Sequence, residues 1–426
     1  MGITIVRERF TLPTATTDPI EFTTTKLGGL TPKAAILIVP VSGCSTDGTA
    51  TAGMVKGIGF TDGYLAPDSF HALTSADAGA SSATGTRNLT GRVLEEVTPA
   101  TTVQQVVYTK NPAFITNGVS LSSSEVGTSA ATFVEIIFFA GSDLSAALTS
   151  TTLTNAVDTA HDITDPGFEP DVVISCCTSS SGIGLGLVHN DRAGTVTQRA
   201  MIHRARSARP TAENCAAIRA SYGGGVSAGA FTSDANCWLE FGTFDSSGFT
   251  MTTRVAAPGS SMKVSTLALR FGTGPLVSSK VYTFDTPTAT GDNTDTNPGF
   301  QPQFVMYLGS LLETMDSFND TTLAGSSSIS TIDTTDAHCA SWSDEDAADP
   351  TNTQSLMDDQ AVNLPLHDGS AGLAASFSAF TSTGVTLNWS DIETNAKKWL
   401  GLAIGAEVAA TYAPPPFRRP NTLRRM

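Results

Sequence analysis

Residues with the chemistry for catalysis or metal binding are thinly scattered along this chain. The strongest pattern is Gly225-Val226-Ser227-Ala228-Gly229, which has the spacing of a nucleophile elbow. Such a serine attacks a carbonyl only from a strand-to-helix turn, with an acid and a histidine following. Here Gly223-Gly224 precede the pattern, and the later histidines, His338 and His367, lie far downstream. The stretch therefore reads as a glycine-rich turn. Gly182-Ile183-Gly184-Leu185-Gly186 has phosphate-loop spacing but lacks the Lys-Ser/Thr that would follow, so it reads as glycine on a crowded strand. The six histidines show no metal-ligand spacing. Asp62, Asp191 and Asp320 recur at the end of similar short stretches, where a carboxylate caps its own turn or binds Ca²⁺. Asp292 and Asp295 have the alternating oxygens of a calcium loop without its closing glutamate. Among the four tryptophans, Trp342, set between serines beside an acidic stretch, is the candidate for ligand contact, while Trp389 and Trp399 read as core. No catalytic residue, metal or cofactor is expected.

The elements around these residues come in threes. Gly29-Leu30-Thr31-Pro32, Gly167-Phe168-Glu169-Pro170 and Gly299-Phe300-Gln301-Pro302 each lead into an apolar run. Glycine permits the turn and proline sets φ before a buried strand. Downstream of each comes Phe-x3-Gly-apolar-Ser/Thr-apolar, with its glycine at Gly118, Gly248 and Gly384, a tight turn feeding a strand. A closing strand then ends at Gly141, Gly272 and Gly405. Landmarks in one order, repeated at roughly 135 residues, mark a triple repeat.

The predicted fold is all-β: three tandem antiparallel, jelly-roll-like β-sandwich modules followed by an extended arm. A leader at 1–9, available for donation to a neighbour, precedes modules at 10–141, 150–272 and 280–405. Polar residues 43–53 read as an insertion and 344–364 as a surface loop. The one helix candidate is Ala212–Ala220, on propensity alone. The arm, 411–426, carries Pro414, Pro415 and Pro416, two apolar anchors at Phe417 and Leu423, and four cations at Arg418, Arg419, Arg424 and Arg425. Proline keeps it extended, and the guanidinium groups suit an acidic groove.

The 426 residues carry a net charge of −16 and only 15% charged residues. Without the four arginines of the arm the body stands at −20, which repels nucleic acid. The six cysteines repeat at no common position, and adjacent Cys176 and Cys177 must face opposite sides of a strand, so they read as buried thiols of a reducing compartment. The N-terminus lacks the apolar core of a cleaved signal, and no stretch has the length of a membrane span.

The tandem modules, hydroxyl-rich strands and basic tail, with the openings Phe10-Thr11-Leu12-Pro13 and Gly29-Leu30-Thr31-Pro32 and their copies, resemble bacteriophage tail and head-fibre proteins. The resemblance implies a virion structural component in a tail, a fibre or a capsid decoration. Such a protein is made in the host cytoplasm and partners itself and other virion proteins. Two alternatives stand beside it. One is an array of modules that binds a host receptor or carbohydrate; the other is a polysaccharide-degrading enzyme, which would need paired carboxylates in one cleft.

Overall fold

The computed structural model describes residues 2–14, 18–63, 69–75, 85–98, 103–126, 130–153, 156–179, 182–204, 215–227, 236–254, 261–272, 277–316, 326–344, 352–366 and 371–406, and the elements below are those of these residues. The chain is all-β, with antiparallel sheets and a single short 3₁₀ turn at Thr25–Leu27. The first module contains β1 (Ile3–Leu12), β2 (Ile20–Thr23), β3 (Pro32–Val39), β4 (Thr51–Ala52), β5 (Met54–Thr61), β6 (Ser69–Ser75), β7 (Gly85–Thr90), β8 (Leu94–Thr98), β9 (Val103–Ile115), β10 (Gly118–Val126) and β11 (Thr132–Gly141). The second contains β12 (Leu144–Leu153), β13 (Thr159–Ile163), β14 (Val172–Thr178), β15 (Gly182–Asn190), β16 (Val196–Arg204), β17 (Cys215–Arg219), β18 (Gly224–Ser227), β19 (Asn236–Asp245), β20 (Gly248–Arg254) and β21 (Met262–Phe271). The third contains β22 (Val277–Asp285), β23 (Gly291–Asp295), β24 (Phe304–Ser310), β25 (Ser327–Asp333), β26 (Ala337–Asp344), β27 (Thr353–Asp358), β28 (Val362–Pro365), β29 (Ala371–Phe380), β30 (Val385–Asp391) and β31 (Lys398–Ala406).

Each module is a two-sheet sandwich with the same strand order. The larger sheets run β1-β11-β3-β5-β6-β7, β12-β21-β14-β15-β16-β17 and β22-β31-β24-β25-β26-β27. The smaller ones run β2-β10-β9-β8, β13-β20-β19-β18 and β23-β30-β29-β28. Gly29, Gly167 and Gly299 turn with φ of 89°, 67° and 78°, in the left-handed region glycine favours. Gly118, Gly248 and Gly384 serve otherwise. None has a left-handed φ; instead a Cβ would lie 1.9, 1.8 and 1.8 Å from the carbonyl oxygens of Phe22, Ile163 and Asp295, so backbone approach selects glycine.

The three larger sheets turn one face to their own small sheet and the other to one another. Along β3, Ala34, Ile36 and Ile38 belong to a core shared by all three modules, while Ala35, Leu37 and Val39 belong to the core inside module one. Val172, Ile174 and Cys176 join the shared core and Val173 and Cys177 the core of module two. Phe304, Met306 and Leu308 likewise alternate with Val305 and Tyr307. A strand buried on both faces reads as a continuous apolar run, which is why these segments show no polar alternation. Each module touches both others: β6 packs on β14 and β15, β15 and β16 on β22 and β31, and β25 on β1. Three tandem modules thus close into a ring with threefold pseudosymmetry.

Several expectations are corrected. The 1–9 leader is not a separate piece: β1 runs through it and pairs with β11 of its own module from Ile3↔Gly141 to Leu12↔Thr132. The helix candidate at 212–220 contains β17, which pairs with β16 from Ala200↔Arg219 to Arg204↔Cys215; helix propensity is a weak preference, and the strand pairing that brings Ile218 into the shared core overrides it. The 344–364 loop contains β27 and β28. The 43–53 insertion carries β4, which adds to the outer edge of β27 in module three through Ala52↔Gln354 and Thr51↔Ser355. It clasps the ring shut between the first and last modules.

Candidate functional site

The pseudosymmetry sorts the polar residues into three equivalent joints. Ile36 faces Phe60, Ile174 faces Leu187 and Met306 faces Thr331 across the central strand pairs. Two residues beyond stand Asp62, His189 and Asp333. The matching residues of the first strands are Leu148, Val281 and Arg7, opposite Leu267, Leu402 and Ile137. At the joint between modules one and two, Asp62 Oδ2 accepts the backbone N–H of Leu148 at 2.8 Å. At the joint between modules three and one, Asp333 Oδ2 accepts that of Arg7 at 3.1 Å. The same carboxylate latch is made twice.

Among the contacts of the described residues, the first joint holds no ion pair in addition to its Asp62 latch. His71 sits 3.0 Å from Thr178 Oγ1 and 2.7 Å from Ser265 Oγ, and burial pushes its pKa down to about 3, so it carries no charge at pH 7. Lys33 Nζ donates to the carbonyl of Leu144 at 2.6 Å. The third joint is ionic. Lys26 Nζ meets Asp336 at 2.6 Å, and Arg9 meets Asp359 at 2.8 Å. Arg7 is buried with Glu135 at 3.7 Å, and Glu135 accepts the hydroxyl of Thr331. Burial, reinforced by Arg7, Arg9 and Lys26, holds His338 far below the ordinary histidine range beside Asp359.

A polar plug sits where the three modules meet. Lys56 Nζ donates to Ser327 Oγ at 3.1 Å, and that oxygen lies 2.8 Å from His203 Nδ1, so one residue from each module takes part. The ammonium lies 5.1 Å from the centre of the Trp342 ring, whose Nε1 donates to the Val55 carbonyl at 2.6 Å. Complete burial pushes Lys56 down to about 7 and raises the neighbouring Cys176 thiol.

The second joint holds a polar cleft of about 520 Å³. Its wall is fixed by buried Asp171, which takes the fork of Arg192 and, through Oδ2, the N–H of Phe271 at 2.6 Å. Arg192 Nη2 donates in addition to the Phe271 carbonyl at 2.6 Å. Asp191 accepts the N–H groups of Ala193 and Thr195 at 2.8 and 2.9 Å, contacts that hold its pKa below the usual carboxylate range. His189 stands in the latch position, half-buried. Burial lowers its pKa against the pull of Asp171 and Asp191. Lys280 and Phe300 close the far side from module three.

Most residues singled out in the sequence lie elsewhere. Trp342 is fully buried on the ring axis, so it packs the shared core and is no surface ligand contact. Trp389 and Trp399 are core. Ser227 ends strand β18, and 228–229 fall outside the described residues. A Cβ at Gly184 or Gly186 would sit 1.8 or 1.7 Å from the carbonyls of Gly225 and Gly223, so close sheet packing accounts for this glycine run. Asp292 accepts from Asn388 at 2.7 Å, and buried Asp295 accepts from Asn297 and from Tyr307 at 2.7 Å. Both carboxylates are engaged within the sheet and its turn, and no group of three or more metal-ligating side chains is found among the described residues. Asp320 and the whole arm, with Phe417, Arg418, Arg419, Leu423, Arg424 and Arg425, lie outside the described residues. The third counterpart of Asp62 is Asp333, and His189 is the second in place of Asp191. Insertions of different length before these residues hide the match, although counting back along the apolar alternation from Thr331-Ile332-Asp333 would have found it. Asp171, Arg192 and Lys280 come from separate strands and turns and carried no local signal.

No protein-family model matches the sequence, and no curated protein matches it.

Proposed function

We propose that this chain is a structural component of a bacteriophage particle, in the tail, a fibre or a capsid decoration. The observation that carries the reading is the closed ring of three like sandwiches around one shared apolar core. Natural oligomers of this shape form by repeating one heterologous contact until the rotation closes. Here one chain supplies all three copies, so it presents the outline of a trimer without depending on protomer concentration. Such a body suits a threefold or pseudo-threefold position in a larger assembly. The ring is clasped by β4 and tied by the ion pairs of its third joint, as a part that must hold its shape would be. An acidic body with a +4 tail can keep its copies apart while the tail docks on a neighbour.

The test is direct. Particles purified from cells infected by the phage that carries this gene should contain the chain in fixed copy number, measured by quantitative mass spectrometry. A chain abundant in the lysate yet absent from the particles refutes the reading.

A further inference from the structure

The three joints are built alike, and one of them has given up the latch. Asp62 and Asp333 each hold the first strand of the neighbouring module by a backbone N–H. His189 takes that position in the second joint, and its ring makes no hydrogen bond among the described residues. The sister cleft at the first joint, about 540 Å³, has comparable room, but its Asp62 and Lys33 are both spent on backbone groups of module two. The second joint has the room and, in addition, polar atoms not used to hold the ring.

We propose that the cleft between modules two and three binds a neutral oligosaccharide. A sugar hydroxyl both donates and accepts, so its site needs both kinds of partner on a rigid wall. Arg192 is immobilised by Asp171 and the Phe271 carbonyl through Nε and Nη2, and its Nη1 takes no part in those bonds. Asp191 supplies an acceptor carboxylate and His189 an uncharged imidazole that can do either. The hydroxyls of Thr197 and Ser279 extend the lining, and Phe300 is a half-buried ring against which the C–H face of a pyranose can rest. Two carboxylates and two cations balance within the cleft, and a chain of net charge −16 disfavours polyanions approaching from solution. A volume near 520 Å³ falls within the usual range for small-ligand sites, about 300–1,000 Å³. The assignment does not depend on the particle reading.

The test uses the purified full chain on a printed array of neutral and uronate-containing oligosaccharides. Saturation-transfer NMR on the retained members follows. At least one neutral member should be retained. Binding should weaken by about tenfold or more, the loss of one good contact, in Phe300→Ala and in His189→Asp. His189→Asp restores the carboxylate of the sister joints, so its melting temperature should not fall. Lys33→Ala, in the sister cleft, should bind as the parent does. Retention of no neutral member overturns the assignment, as does equal retention by Phe300→Ala and His189→Asp. Retention of acidic members alone, lost in Lys280→Ala, would mark an anion site and overturn it as well.

Discussion

Replacing Lys56 by methionine should make this protein more stable. Lys56 is fully buried on the ring axis, and its pKa falls from the ordinary lysine value of 10.5 to about 7. The unfolded chain keeps this proton up to about pH 10.5 while the folded chain releases it near 7, so between these values the unfolded state binds more protons. Stability therefore rises with pH across that window by about 1.4 kcal/mol per unit. At pH 7 and below, nearly the whole penalty, about 5 kcal/mol, is present. Lys56→Met removes it and keeps the packing volume, at the loss of the hydrogen bond to Ser327, worth about 1 kcal/mol. The variant should be more stable by about 3–4 kcal/mol at pH 7, and the difference should shrink to about 1 kcal/mol or less by pH 10. Buried thiols act the other way in both proteins: Cys177 is pushed up to about 12 and Cys237 to about 11, which lowers stability above pH 9. The difference between the proteins cancels that effect. Urea unfolding of parent and variant at pH 7, 8, 9 and 10 reads it directly. A variant less stable than the parent at pH 7, or a difference that does not change with pH, would refute the picture of a desolvated axial lysine.

Gly248→Ala should cost about 1–3 kcal/mol in urea unfolding, because its Cβ would lie 1.8 Å from the Ile163 carbonyl; a neutral change would show that β13 and β20 can part without penalty. Asp62→Ala leaves the N–H of Leu148 without its carboxylate and should cost about 1–3 kcal/mol, with the same measurement deciding. Trp342→Ala should cost about 3–5 kcal/mol as a core deletion, and an unchanged stability would return Trp342 to the surface. Removal of 411–426 should leave the melting temperature within about a degree while abolishing incorporation into particles; normal occupancy would mean the arm does not dock.

The repeat was legible in the residues themselves. Turn glycines, prolines and apolar runs act locally, so Gly29, Gly167 and Gly299 announce the same strand three times, and the sandwich class follows from their order. Cys176 and Cys177 had to face opposite sides by the two-residue period of a strand. Which side each face meets is a matter of tertiary packing. The continuous apolar runs of β3, β14 and β24 already argued against solvent on the second face, but they were the same whether that face met a partner chain or, as found, the two sister modules. Trp342 shows the difference: serine neighbours and a nearby acidic stretch describe its chain environment, whereas its burial depends on Val55 and Lys56, far away in module one. The cleft at the second joint was equally hidden. Its walls come from two modules, and its defining feature, His189 where Asp62 and Asp333 latch, is masked along the chain by loops of different length and stands out once strand register aligns the three copies. Local propensity decides strands and turns because it acts over a few residues; joints and clefts arise from contacts between residues hundreds of positions apart, which only the closed ring brings together.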